Sequence, residues 1–509
     1  MPYLCSEKMK RILIMKKSLC LATLCLCLLT TTQAKVKLPG WMTDNMVLQQ
    51  HTTMQLSGQA TGNTVVRISA SWSKHDMEAR SDSQGRFAFE LTTPGAGGPY
   101  SLTFDDGEET VLRNVMSGEV WFCSGQSNMD MPIGAYGKVA DWEAELAAAD
   151  HPQIRLFKVA QRIAAEPQDD VPLGHTQGWA VCSPEMADAF SATAYFFARE
   201  VSQRLGVAVG VVSCAVGATP AESWVSREAV ERVMGIDAAE GDASAVPENN
   251  RPSVLYNGMV APFLSMPVRG ILWYQGEHNV GRALQYESLF QTLILDWQSR
   301  FNRQAEVRPF VRTKEAARGS ATAALPFLFV QLPNYMARVP VQPSSGWAWL
   351  REAQRKATRL EGTGMAVTID IGDAEDIHPK NKQEVGHRLT LLALSQVYGK
   401  KVPSTAPNII GTRARKGRML LTFAPAEKGE ALAPEDDIQG FIVAGPDHQW
   451  HAARAAYTKG RRRVREVVVE CPDVEVPVAV RYAWGDNPDC NLRSRSGLPV
   501  GPFRTDDWP

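Results

Sequence analysis

The chain has 509 residues, 44% of them hydrophobic and 21% charged, with 54 Lys and Arg against 55 Asp and Glu. That length and composition imply a large buried core divided, at roughly 100 to 200 residues per domain, among two to four domains. The balanced charge and the lack of a basic patch interleaved with aromatics argue against nucleic acid as a partner, and no stretch reaches the roughly 20 apolar residues of a membrane span.

In chain order, the first predicted element is a leader. Lys8, Lys10, Arg11, Lys16 and Lys17 precede an apolar run from Leu19 to Leu29 and a small-x-small site, Thr32-Gln33-Ala34. Residues 1–34 therefore read as a secretory signal, and the remainder as a secreted or periplasmic protein. Four cysteines, Cys5, Cys20, Cys25 and Cys27, lie in that segment. The other five, Cys123, Cys182, Cys214, Cys471 and Cys490, are widely spaced without a C-x-x-C pair, which speaks against a disulfide framework and a zinc site. Cys471 and Cys490 could pair within their own region.

Residues 35–115 alternate short apolar stretches with the turn signals GQATGN, SDSQGR and TPGAGGP, and predict a small N-terminal β-sandwich. Between 116 and 400 the strand-like runs EVWFC, VAVGVVSC, RGILWYQ, PFLFVQL and GMAVTIDI alternate with amphipathic stretches such as FSATAYFFAREVSQRL and KNKQEVGHRLTLLALSQVYG. Strand alternating with helix predicts an α/β domain: a parallel sheet covered on both faces, three layers in all. Polar interruptions at 235–252 and 303–323 predict loops or insertions. From 401 to 509, GRMLLTFAP, REVVVECP and PVAVRYAW predict a C-terminal β-rich region, within which the basic run Lys459 to Arg465 reads as a solvated turn.

Ligands of open α/β sheets bind beyond the carboxyl ends of the strands, and four motifs fall there. In GQSNM, Ser127 follows a strand end in a turn that Gly125 permits, where a hydroxyl can face solvent and a backbone N–H can face an oxyanion. It is not the G-x-S-x-G elbow, because the fifth residue is Met129. A serine at such a place is more often a plain helix N-cap. A nucleophilic serine needs a base, and His378 in GDAEDIHPKNKQEVG has Asp373, Glu375 and Asp376 just ahead of it. His278 and His387 are rival bases. Gly217 in SCAVGATPAESW, and Gln275 and Asn279 in WYQGEHN, offer donors for an oxyanion. Each motif alone fits a tight turn or polar loop; four at the strand ends of one sheet point to a site.

The blocks GQSNM, GATPAESW, LYNGM with Tyr256 and Asn257, GILWYQGEHN, WLREAQ with Arg351 and Glu352, DIHPKNKQEVG, and the terminal VRYAW to GPFRTDDW occur in that order. Together they resemble the sialate O-acetylesterase family of the SGNH hydrolase superfamily, over about Gly40 to Trp508. The resemblance implies a serine esterase that removes acetyl groups from sugar hydroxyls, typically of O-acetylated sialic acids, with no metal or cofactor. It also implies an SGNH-type three-layer α/β/α domain flanked by β-rich regions. By the same resemblance Ser127 is the expected nucleophile, His378 the base, and Gly217, Gln275 and Asn279 the oxyanion donors, with Gln126, Asn128 and Glu277 beside them in the same blocks. Gln126 stands where many superfamily members have Asp. The orienting acid is expected at Asp376, two residues before His378; Glu375 holds the superfamily's usual spacing of three and is the alternative, a Ser-His dyad the third possibility. Other activities compatible with the sequence are an esterase for another acetylated glycan, such as acetylxylan, and a non-catalytic sugar-binding protein.

Overall fold

The computed structural model describes residues 36–235, 246–303, 305–307, 324–424, 430–434, 437–458 and 466–508. Residues 1–34, expected to be a leader, and the basic run 459–465 lie outside the described residues. Seven strands build the central sheet: β1 (Glu109–Gly125), β2 (His151–Lys158), β3 (Trp179–Cys182), β4 (Ala208–Ala215), β5 (Gly270–Tyr274), β6 (Phe327–Val330) and β7 (Thr363–Ala366). Their order is β7-β6-β5-β1-β4-β2-β3. All neighbours are parallel except β3 on β2. β4 and β5 are buried at every position, as strands covered on both faces must be.

Two adjacent residues of β1 show the three layers. Trp121 points to one face and meets Phe197 of helix α2 (Ala192–Leu205, once the short α1, Ser127–Asp130, is counted) at a centroid distance of 5.0 Å. Phe122 points to the other and meets Trp297 of α3 (Ala283–Arg300) at 5.8 Å. Side chains alternate along a strand, so these two rings must lie on opposite sides. Helix α4 (Gly346–Ala357) packs beside α3, and α5 (Lys382–Leu392) beside α2. The α/β/α expectation is met. The run GMAVTIDI is strand only as far as Ala366; beyond it the chain leaves the sheet, with Asp370 paired to Arg388 of α5.

β1 spans 17 residues, and its first half belongs to the N-terminal β region, where it pairs antiparallel with Gly97–Asp105. The chain thus passes from that region into the central sheet inside one strand, across the expected boundary at 115 to 116. A second small sheet joins Thr52–Gln59 to Arg86–Thr92 and to Ala305–Val307, the last a strand inside a segment expected to be loop. Phe89 of this sheet and Phe104 of the other meet edge to face at 5.4 Å. Near the middle of β1, Glu119 is fully buried with Arg269, Nε to Oε2 2.6 Å, and also accepts from Gln50 at 2.7 Å and Tyr398 at 3.1 Å. These bonds offset the desolvation of the pair.

The C-terminal region holds two four-stranded sheets around a core of its own. It is fastened to the central domain by Arg351 of α4, a fully buried guanidinium held by carbonyl oxygens. Its guanidinium donates to four carbonyls: Leu332 at 2.9 Å, Pro333 at 2.6 Å, Gly485 at 2.6 Å and Asp486 at 2.8 Å. Burial pushes the Arg351 pKa down to about 10. Cys471 and Cys490, which could have paired, are separate thiols, as are Cys123, Cys182 and Cys214.

Candidate active site

The turn after β1 sets the site. Gly125 has φ +142°, and a Cβ there would stand 2.1 Å from the Tyr274 carbonyl oxygen, so only glycine fits between β1 and β5. Gln126 N–H bonds that carbonyl at 3.0 Å, and the chain then turns into α1 with Ser127 at its first position. Ser127 Oγ lies 3.0 Å from His378 Nε2. His378 Nδ1 lies 3.0 Å from Asp376 Oδ1, and the same oxygen accepts the His378 backbone N–H at 3.0 Å. A carboxylate two residues before the histidine thus reaches the ring by closing a short turn on itself. Glu375 is exposed, and its backbone N–H bonds Asp373. His387 pairs with Glu200 and His278 with Asn250, so neither rival base is bonded to Ser127.

Asp376 Oδ2 takes Lys138 Nζ at 2.7 Å. Burial works to raise the Asp376 carboxyl, but Lys138 and the two His378 N–H groups outweigh it and hold the pKa at about 2. His378 falls below its ordinary value of 6.5: burial disfavours the imidazolium, and this outweighs the pull of Asp376, with Lys382 and Lys138 adding repulsion. The neutral imidazole is the form that can accept a proton. We therefore expect kcat/KM to rise with pH to a plateau through an apparent pKa below about 6.5. A pH-rate profile from acid to neutral checks this; a limb centred above neutrality would contradict it.

The donors expected for an oxyanion fare differently. Gly217 follows β4 so closely that a Cβ on it would stand 3.5 Å from Ser127 Cβ. Gln275 requires a correction. It is fully buried, both hydrogens of its amide are taken by Thr219 O at 3.2 Å and Asn279 Oδ1 at 2.7 Å, and its oxygen accepts from Tyr286 at 3.0 Å. The side chain of Gln275 is a strut under the loop, and its amide has no hydrogen left to donate. Asn279 gives one amide hydrogen to Glu222 at 2.9 Å, while its oxygen fixes the Ala221 N–H. Gln126 turns its carboxamide oxygen to the N–H groups of Gly276 and His278, both at 3.3 Å, tying the nucleophile turn to the loop after β5. Asn128 bonds Glu277, Ile377 and Lys382.

The sequence reading passed over Lys138 and Lys382. Only Lys382 had a usable signal: Asn381 caps α5 through Glu384 N–H at 2.9 Å, an N-x-x-E pattern that puts Lys382 at the first helical position. Among the described residues no group of three or more His, Cys, Asp or Glu side chains could hold a metal ion, and no helix is long and apolar enough to cross a membrane.

A parallel sheet with serine, histidine and carboxylate bonded in series at its carboxyl edge defines a serine hydrolase of the α/β class. Comparison with known proteins agrees. The family model described as carbohydrate esterase, sialic acid-specific acetylesterase, matches residues 117–394. A solved carbohydrate acetylesterase from Xanthomonas citri is 35% identical, with a TM-score of 0.80 over 93% of this chain and 100% of that one. The sialate O-acetylesterase of Homo sapiens is 27% identical over 438 residues, 80% of this chain and 79% of the relative. That of Rattus norvegicus is 28% identical over 473 residues, 80% of this chain and 82% of the relative. The chain belongs to the carbohydrate esterase family of sialic acid-specific acetylesterases.

Proposed function

We propose that this esterase removes acetyl groups from O-acetylated sialic acids through an acetyl-enzyme formed on Ser127. The observation that carries the reading is the unbroken series Ser127 Oγ, His378 Nε2, His378 Nδ1, Asp376 Oδ1, with both bonds at 3.0 Å. Ser127 Oγ attacks the acetyl carbonyl as His378 Nε2 takes its proton, and Asp376 supports the imidazolium. The oxyanion is met by the backbone N–H groups of Ser127 and Gly217 and by the second amide hydrogen of Asn279. Collapse breaks the bond to the sugar oxygen, which receives the proton from His378. Water then gives a proton to His378 and attacks the acetyl ester; acetate departs and Ser127 regains its hydrogen.

The sialate assignment rests on the family and on relatives that carry that activity in their names. Acetate release from purified O-acetylated sialic acids, acetylxylan and p-nitrophenyl acetate tests it. The expected order puts kcat/KM for the sialates at least about tenfold above acetylxylan, a difference of roughly one differential hydrogen bond. The reverse order would move the activity to another glycan, and no release from any ester would leave a sugar-binding protein. The basic-then-apolar start of the chain supports secretion or a periplasmic location.

A further inference from the structure

Against the nucleophile turn lies a polar cluster that acyl transfer itself does not use. Lys382 is the first residue of α5 and is fully buried. Burial lowers its pKa to about 7, and a charge held away from water at the positive end of a helix is disfavoured on both counts, so a lysine at this position calls for a use. Its Nζ donates to Asn128 Oδ1 and sits 5.2 Å from the centre of the Tyr274 ring. Asn128, also fully buried, donates to Glu277 Oε1 at 2.5 Å and to the Ile377 carbonyl at 3.1 Å. One carboxamide thus joins the residue after Ser127, the residue before His378, a cation of α5 and the carboxylate of the loop after β5. Its partners fix which way it faces, because only the oxygen can accept from Lys382 and only the nitrogen can donate to an acid and a carbonyl.

The bonds from Asp376 to His378 lie within one loop, so they orient the ring without locating it against Ser127. The Lys138 to Asp376 pair and the Ala140 N–H to Lys380 carbonyl bond, 2.9 Å, tie that loop to the segment after α1. The Asn128 to Ile377 bond runs to the nucleophile's own turn. We propose that Asn128, clamped between Lys382 and Glu277, is a positioning residue that holds the Ile377–His378 peptide where Nε2 meets Ser127 Oγ. The inference rests on the Ser127 and His378 chemistry proposed above. Lys382 has a second effect through charge. The charged groups that face His378 are Asp376 from its own loop, Lys138 from the segment after α1 and Lys382 from α5, with Glu277 behind Lys382. Lys382 opposes protonation of the base.

Three variants of the full chain test this: Asn128→Ala, the isosteric Asn128→Asp, and Lys382→Met. Misplacing a catalytic pair by about 1 Å costs on the order of 100-fold, so kcat should fall by about that factor in both Asn128 variants with KM within about threefold. Asn128→Asp keeps an oxygen for Lys382 but, ionised, has no hydrogen for Ile377, so it decides the matter if Asn128→Ala does not fold. Phosphonylation of Ser127 by a fluorophosphonate should slow in parallel. Lys382→Met should also shift the acid limb of kcat/KM to higher pH, since it removes a positive charge facing His378; an unmoved limb would overturn the part given to Lys382. A folded Asn128 variant with kcat within about threefold of the parent would overturn the whole inference. Failure of the parent itself to be labelled at Ser127 would instead sink the nucleophile assignment.

Discussion

Replacing Ser127 by alanine should lower kcat by about four to six powers of ten, and His378→Ala should do nearly the same, with both proteins still folded. The two side chains share one proton at a 3.0 Å contact, so each is useless for attack without the other. Combining the changes should add little to either alone. Ser127 Oγ lies at the edge of the sheet where truncation removes one hydroxyl, and His378 is only partly buried, so neither loss opens a core cavity. Turnover of p-nitrophenyl acetate, followed beside the melting temperature, measures this. Activity within about tenfold of the parent in either folded variant would remove these residues from the mechanism.

Changing Asp376 to asparagine should cost about two to four powers of ten in kcat with little change in KM, while Glu375→Gln stays within about threefold. Asp376 Oδ1 accepts from the ring and from the backbone of His378 at once, so an amide in its place turns an acceptor into a donor or reorients the ring. Glu375, exposed beside it, makes no bond to the imidazole through its side chain. Parallel kinetics on the two variants decide between them. A greater loss in Glu375→Gln would place the acid three residues ahead of the base, and indifference in both would leave a Ser-His dyad.

How far this site could be read from sequence depended on distance along the chain. A strand-ending Gly125 and a carboxylate two residues before a histidine are local geometry, legible in a few residues. The fate of Gln275 was not. Its amide is occupied by Thr219, Asn279 and Tyr286, contributed by the loop after β4, the loop after β5 and α3, and no short window contains them. Lys380 and Lys382 look alike in HPKNK, yet one is exposed on Asp373 and the other is sealed under Asn128 and Tyr274. The parallel sheet was legible because the second half of β1, with β4, β5 and β6, reads as apolar runs of strand length. The strand Ala305–Val307 was not, because only pairing with Thr52–Met54, some 250 residues away, gives it a reason to be extended.

The guanidinium of Arg351 also decides what may be cut from this chain. The family match spans residues 117–394, which invites expression of that segment as a free-standing cassette. Such a cassette would keep Arg351 and the Leu332 and Pro333 carbonyls but lose Gly485 and Asp486, half of the oxygen cage that stands in for a counter-ion. It would also begin in the middle of β1, stripping the strand of its antiparallel neighbour. What sequence comparison outlines as a module is, in covalent and electrostatic terms, a middle section whose two ends are completed by the rest of the polypeptide.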